Sequence, residues 1–186
     1  MVNPIRKGLG ILWGRLTEQG VRVTGLWAAD HLARIITGAP IRALSEITPH
    51  LHVGGQYRRR GWPRLRERGV TAVVNLRTEF DNEAAGIAPQ RYLHLPTVDD
   101  GPPSLKQMRT GANFIAEEIE RGGSVYVHCG AGVGRAPAMA AAYLVTTGLT
   151  ADQAWARIRT VRPFVRPKPD QVAQVARFDD HLGLKG

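Results

Sequence analysis

The stretch "SVYVHCGAGVGRAPAMAAAYLV", residues 124–145, decides how this chain is read. An apolar run ends in His128 and Cys129, the only cysteine of the chain. Gly130, Ala131, Gly132, Val133 and Gly134 follow, and then Arg135 opens an alanine-rich run. A strand that passes through a glycine-rich loop into a helix aims backbone N–H groups inward and adds the positive end of the helix, which makes a nest for a tetrahedral anion. A cysteine at the base of that nest feels a field that favours the thiolate, and such surroundings depress a cysteine pKa from ~8.5 into the ~3.5–7.5 range. A thiolate under a bound phosphoryl group is placed for in-line attack. Arg135 can grip two equatorial oxygens and stabilise the charge spread over them. Gly130, Gly132 and Gly134 allow positive φ and close approach of backbone to phosphate. The competing reading is a buried structural cysteine beside a tight turn. It yields here because a strand, His128, three glycines and a helix coincide with Cys129 and Arg135.

Outward from this loop, strands alternate with helices. "ITPHLHVGG" (47–55) reads as a first strand ending in a glycine turn, "WPRLRERG" (62–69) as a short helix closed by Gly69, and "VTAVVNL" (70–76) as a buried strand. "RYLHLPT" (91–97) and "SVYVH" (124–128) supply further strands. Ser104 with Gln107 forms a capping-box pair, and Leu105, Met108, Ala112, Ile115 and Ile119 follow as the core stripe of a helix. "APAMAAAYLV" is apolar nearly all round, the mark of a buried helix. Thr150 with Gln153 caps another helix, and Pro169 starts the last. The pattern predicts a single α/β domain over residues 46–186 with a mostly parallel central sheet flanked by helices.

Residues 1–45 form an N-terminal helical extension of different character. Ile5, Leu9, Leu12 and Leu16 recur at helical spacing, and Val23, Leu26, Trp27 and Ile35 continue the pattern on a second helix after Gly20. Six basic residues stand against two acidic ones in this segment. Such a basic amphipathic helix can lie on an anionic membrane surface, or it can pack on the catalytic core or on a second copy. The sequence leaves the oligomeric state open.

At 186 residues and 43% hydrophobic, the chain is long enough for one full core. No apolar run approaches the ~18–20 residues of a membrane span, and no signal-peptide cleavage pattern follows the basic N-terminus, so a cytoplasmic protein is the default. The net charge of +9 favours an anionic partner. Neither Walker-type nor zinc-type spacing is present, and basic residues do not interleave with aromatics as on base-stacking platforms, which makes nucleic acid the weakest of the anionic partners. One cysteine rules out an internal disulfide and leaves an oxidised Cys129 without an internal thiol to rescue it.

"VHCGAGVGRAP" (127–137) resembles the His-Cys-x5-Arg signature loop of the cysteine-dependent protein phosphatases. The span 46–182 is similar to their compact dual-specificity branch, including "ITPHLHVGG" and "VRPFVRPKPDQ" (161–171). The resemblance implies Cys129 as nucleophile forming a phosphocysteine, and Arg135 with the amides of Gly130, Ala131, Gly132, Val133 and Gly134 as phosphate cradle. It implies that His128 orients the loop and helps hold the thiolate, with no metal and no other cofactor. In this family an aspartate about 30 residues before the cysteine is the general acid, a role worth ~10²–10⁴-fold. "LHLPTVDDGPPS" (93–104) offers Asp99 and Asp100, and the family pattern favours Asp99. Either aspartate can equally cap a Gly-Pro loop. Asn75 is the kind of strand-end residue that ties down a neighbouring loop. Arg58, Arg59, Arg60, Arg77, Arg162 and Arg166 are candidates for the rim of an anionic cleft or for solvated surface charge.

Most relatives carry serine or threonine after the arginine, where this chain has Ala136. That hydroxyl bonds the cysteine sulfur as it leaves, so the resemblance implies slow breakdown of the phosphoenzyme, or at the extreme a phosphate-binding pseudophosphatase. Loop positions 130, 131 and 133 lack the lysines with which relatives meet inositol polyphosphates. A phosphotyrosine or phosphoserine/threonine protein is the leading substrate. A lipid phosphate of the phosphatidylglycerophosphate type is the alternative, for which the basic N-terminal segment would supply the membrane surface.

Overall fold

The computed structural model describes residues 4–183, with side chains from Gly10 onward except Ile11 and Leu12. Of the expected N-terminal stripe, Ile5, Leu9 and Leu12 therefore lie outside the described side chains. A first helix, α1, runs Pro4–Thr37 and is interrupted at Gly20, whose φ of 79° and ψ of 169° lie outside the helical range. The sheet strands are β1 (Glu46–Thr48), β2 (Leu51–Gly55), β3 (Val70–Arg77), β4 (Arg91–Thr97) and β5 (Ser124–Cys129). The remaining helices are α2 (Trp62–Arg66), α3 (Leu105–Glu120), α4 (Arg135–Thr146), α5 (Ala151–Val161) and α6 (Pro169–Leu182).

The five strands lie in the order β1-β2-β5-β3-β4. Every pairing is parallel except β1 with β2. This is the α/β architecture that the alternation of elements predicts. One element differs from expectation. "ITPHLHVGG" is two strands, not one, because Pro49 has no N–H for a ladder and fixes its own φ. Thr48 completes the break by accepting a hydrogen bond from the Leu51 N–H at 3.0 Å.

Side chains alternate across β5. Val125, Val127 and Cys129 face a core built with α3, α4, α5 and α6, while Tyr126 faces a smaller cluster with Tyr57, Leu65 and Val73. Helix α4 is buried from Arg135 through Val145 and packs on β5 and β2 as well as on α3, α5 and α6. Both capping boxes read from the sequence are present, at Ser104–Gln107 and Thr150–Gln153. Because β5 is the central strand, its carboxyl end opens at the crevice where parallel α/β sheets bind their ligands. That is where Cys129 stands.

Helix α1 lies against this end of the domain in an unusual orientation. Among its described side chains the buried ones are Arg15, Thr24, Asp30 and Arg34, all polar or charged. Val23, Leu26 and Trp27 are only half-buried, and Trp13, Val21, Leu32, Ile35 and Ile36 face outward. The surface under α1 presents the carbonyls of Phe164 and Gly130 and the buried guanidinium of Arg162, which take the charged groups of Arg15, Arg34 and Asp30.

Candidate active site

The loop from Gly130 to Gly134 crosses from β5 to the first turn of α4. Of its three glycines, only Gly132 takes a positive φ, 71°. A Cβ at Gly132 would also stand 2.2 Å from the Gly54 carbonyl carbon, so the loop can lie on β2 only with glycine there. Cys129 is 4% exposed, and its Sγ accepts the Gly132 N–H at 3.3 Å. The sulfur forms the floor of a small cleft of about 50 Å3 walled by Asp99, Val133, Arg135, Arg166 and Gln171.

Arg135, 2% exposed, is held on several sides. Glu79 grips the Nη1/Nη2 end of the guanidinium in two parallel bonds of 2.9 Å. Nη1 also donates to Thr97 O at 2.8 Å, and Asp99 Oδ1 lies 2.7 Å from Nη2. Burial works against the Arg135 charge, but the Glu79 hydrogen bonds, with Cys129 and Asp99 nearby, outweigh it and raise the pKa. In return the Arg135 hydrogen bonds push the Glu79 carboxyl down to about 2. The Arg135 Nε is buried with no hydrogen-bond partner among the described residues. Its Nε–H is therefore free to donate to an anion.

Asp99 is 80% exposed on its loop, whereas Asp100 turns aside with a positive φ of 63° toward Lys168. Asn75 ties down the segment after β3: its Nδ2 donates to Phe80 O at 2.7 Å and its Oδ1 accepts from the Arg77 N–H at 2.9 Å. That segment carries Glu79. Gln171 at the start of α6 donates to Gly101 O at 2.9 Å and so links the aspartate loop to the cleft wall.

His128 is fully buried on the opposite face of the sheet from Cys129, stacked on Tyr126 with ring centroids 5.8 Å apart. Its Nε2 lies 2.8 Å from Asn82 Nδ2, a donor, so Nε2 accepts and Nδ1 carries the proton toward Cys129 O at 3.4 Å. Burial pushes the imidazole down to about 3. A neutral ring behind the sheet can fix the Cys129 backbone, but it makes no direct contact with the sulfur.

Burial also pushes His52 down, to about 4, and neither of its ring nitrogens has a partner among the described residues. Both histidines stay neutral in the fold and are protonated near pH ~6.5 in the unfolded chain. Their contribution is therefore complete above that pH and is lost as pH falls toward their folded values. We expect thermal melts to show stability falling by up to about 1.4 kcal/mol per pH unit per histidine below pH ~6.5, with lowered carboxylates such as Glu79 adding to the loss below pH ~4.5. His52→Leu should flatten the upper part of that slope. An unchanged slope in the variant would show that His52 is not a neutral buried ring.

Of the residues singled out in the sequence, Cys129, Ala131, Val133, Gly134, Arg135, Asp99 and Asp100 line one cleft, and the Gly132 N–H bonds the sulfur at its floor. His128 stands behind it. Arg162 is not at the rim: it is fully buried and bonded to loop carbonyls. Arg166 lines the cleft and pairs with Glu18 of α1. Glu79, Asn82, Gln171, Asp30 and Arg34 escaped sequence reasoning, since a single polar residue in a loop or helix carries no periodic signal.

Residues 54–149 match the family described as polymorphic toxin system, DSP-PTPase phosphatase. The chain is 29% identical over 154 residues to phosphatidylglycerophosphate phosphatase PTPMT2 of Arabidopsis thaliana, covering 80% of this chain and 68% of that one. It is 27% identical over 147 residues to dual specificity protein phosphatase 1 of Homo sapiens, covering 78% of this chain and 38% of that one. The crystal structure of human DUSP28 superposes with a TM-score of 0.68 at 23% identity, covering 77% of this chain and all of that one, a likeness of fold.

Proposed function

The chain belongs to the DSP-PTPase phosphatase family of polymorphic toxin systems, cysteine-dependent enzymes of the dual-specificity type, and from that premise we propose that it hydrolyses phosphotyrosine or phosphoserine/threonine esters of proteins through a phosphocysteine on Cys129. One observation carries this reading above the rest: the partnerless buried Nε–H of Arg135 shares a cleft with the Cys129 sulfur. A buried donor left unpaired is costly unless a ligand fills it. A phosphoryl group seated on the loop amides takes the Nε/Nη2 edge of Arg135 and displaces Asp99 from Nη2, while Glu79 keeps the far end of the guanidinium fixed.

The first step forms an S–P bond from the Cys129 lone pair as the ester P–O bond breaks, and the departing oxygen takes its proton from Asp99. In the second step a water oxygen bonds to phosphorus and its proton passes to the Asp99 carboxylate. The S–P pair returns to sulfur, and inorganic phosphate leaves. Glu79 and His128 are positioning residues in this scheme: neither touches the reacting atoms. A thiol nucleophile requires a reducing compartment, and the cytoplasm supplies one.

Ala136 is fully buried in the first turn of α4, where the chain supplies no hydroxyl to the leaving sulfur. We expect a rapid-mixing time course with p-nitrophenyl phosphate to show a burst near one equivalent followed by slower turnover. Ala136→Ser should raise the steady rate about tenfold while leaving the burst rate unchanged, since a hydrogen bond to a charged acceptor is worth roughly 1.5–3 kcal/mol. A folded variant with an unaltered steady rate would mean that sulfur departure is not limiting. Release of no product at all by the wild-type chain, with phosphate still bound, would leave a phosphate-binding pseudophosphatase standing instead.

A second reading, a lipid phosphate met at a membrane surface, is favoured by the apolar outer face of α1 and by the activity in the plant relative's name. No described helix is long and apolar enough to cross a membrane. On this reading Trp13 and Leu32 insert at the headgroup boundary. Sedimentation with vesicles containing anionic lipid should then fall severalfold for the Trp13→Ser/Leu32→Ser double variant. Equal sedimentation of variant and wild type would sink the membrane reading.

A further inference from the structure

We propose that helix α1 is a working part of the phosphate site: Asp30 and Arg34, with Arg162, are positioning residues that hold the loop carbonyls outward and thereby its amides inward. The inference rests on the phosphatase reading of the loop and extends it to residues outside the matched span.

Four successive carbonyls of the loop are bonded to donors outside it. Gly130 O accepts from the Gln56 N–H at 3.0 Å and from Arg34 Nη1 at 3.4 Å. Ala131 O accepts from Arg162 Nη2 at 3.4 Å, and Gly132 O from Arg162 Nε at 2.7 Å. Val133 O accepts from the Arg166 N–H at 2.8 Å. A peptide plane is rigid and trans, so the carbonyl of one residue and the N–H of the next point in opposite directions. Anchoring carbonyls 130–133 outward therefore turns the N–H groups of residues 131–134 toward the cleft. The Gly132 N–H, whose peptide partner Ala131 O sits on Arg162, does reach inward to Cys129 Sγ.

The anchor depends on α1. Arg162 is fully buried, and its Nη2 pairs with Asp30 Oδ2 at 3.1 Å, itself 1% exposed. Asp30 also lies 3.6 Å from Arg34 Nε, and its Oδ1 accepts the Ile41 N–H at 3.0 Å. One carboxylate thus neutralises both guanidinium groups that hold the loop. Burial pushes the Arg162 pKa down and Asp30 opposes it. The approach of Arg34 is permitted by Gly55, where a Cβ would stand 2.3 Å from Nη1. Without Asp30, Arg162 is a buried cation with no carboxylate, and water or rearrangement must satisfy it. Either change releases the carbonyls it holds.

The test uses the full chain and inorganic phosphate as probe. Asp30→Asn keeps the shape and removes the charge. It should lower kcat/KM for p-nitrophenyl phosphate by about 10–100-fold, the scale of a loop misplaced by a fraction of an ångström to an ångström. Its Kd for phosphate, by calorimetry, should rise in step while the circular dichroism spectrum stays native. Asp30→Glu should recover part of both. Arg34→Met, which leaves the Asp30–Arg162 pair intact, should give a smaller loss of the same kind, and it decides the matter where Asp30→Asn fails to fold. A native Asp30→Asn protein with wild-type phosphate affinity and kcat/KM overturns the proposal, as does a folded Arg34→Met protein unchanged in both. Failure of the phosphatase reading looks different: the wild-type chain would then neither turn over the ester nor bind phosphate.

Discussion

Cys129→Ser is expected to reduce kcat for p-nitrophenyl phosphate by about 10⁴–10⁶-fold, the range seen when a nucleophile is removed from an otherwise intact site. The hydroxyl of serine is a weak nucleophile at its own pKa and needs an adjacent base to activate it. None stands ready here. His128 is turned to the far face of the sheet and kept neutral there. Asp99, once the phosphoryl group displaces it from Arg135, holds the proton meant for the leaving oxygen and cannot also take one from the serine. The loop amides and Arg135 remain in the variant, so its affinity for inorganic phosphate should stay within severalfold of wild type. That split between lost chemistry and kept binding is the discriminating result. Retention of even a tenth of the wild-type rate would place the nucleophile elsewhere.

Arg135→Lys is expected to cost about 10³–10⁵-fold in kcat, comparable to the loss of an arginine that stabilises phosphoryl-transfer charge. A lysine ammonium is a point charge without the fork that meets two oxygens at once. It also cannot keep Glu79 in a two-bond grip and still reach Thr97 O, so the end of β4, the Glu79 segment and the phosphate loop lose a common anchor. Phosphate affinity should weaken in this variant, unlike in Cys129→Ser. The two substitutions therefore separate bond-making from charge stabilisation, and a pair of isothermal titrations with phosphate reads the difference. Undiminished phosphate affinity in a folded Arg135→Lys protein would contradict the assignment of its Nε/Nη2 edge to the anion.

The core of this site was legible because its signals are local. Cys129 and Arg135 lie within one turn-and-helix segment, and the strand before and the helix after them announce themselves by continuous apolar runs. The capping boxes at Ser104 and Thr150 are read across three residues, and Asn75 stands two residues before the end of its strand. What escaped depends on partners distant in sequence. Arg162 looks like any surface arginine until Asp30, 132 residues earlier, is laid beside it. Glu79 has meaning only once Arg135 is opposite. The buried charges of α1 escape for a related reason. Hydrophobic periodicity finds the apolar face of a helix, and it is blind to Arg15, Asp30 and Arg34, whose partners are the Phe164 carbonyl, the guanidinium of Arg162 and a carbonyl of the loop.

The charged inner face of α1 also has a meaning in time. Domains fold as units, and synthesis proceeds from the N-terminus at ~5–20 residues per second. The 132 residues separating Asp30 from Arg162 thus impose a wait of roughly 7–26 s before the helix meets the partner it is shaped for. An apolar inner face would spend that interval as an adhesive stripe on a nascent chain. A stripe of Arg15, Thr24, Asp30 and Arg34 stays hydrated through the delay and becomes specific only when the guanidinium and the loop carbonyls arrive together. The thiol at Cys129 is likewise made before Arg162, so the carbonyls of its cradle are locked only after the nucleophile itself is in place.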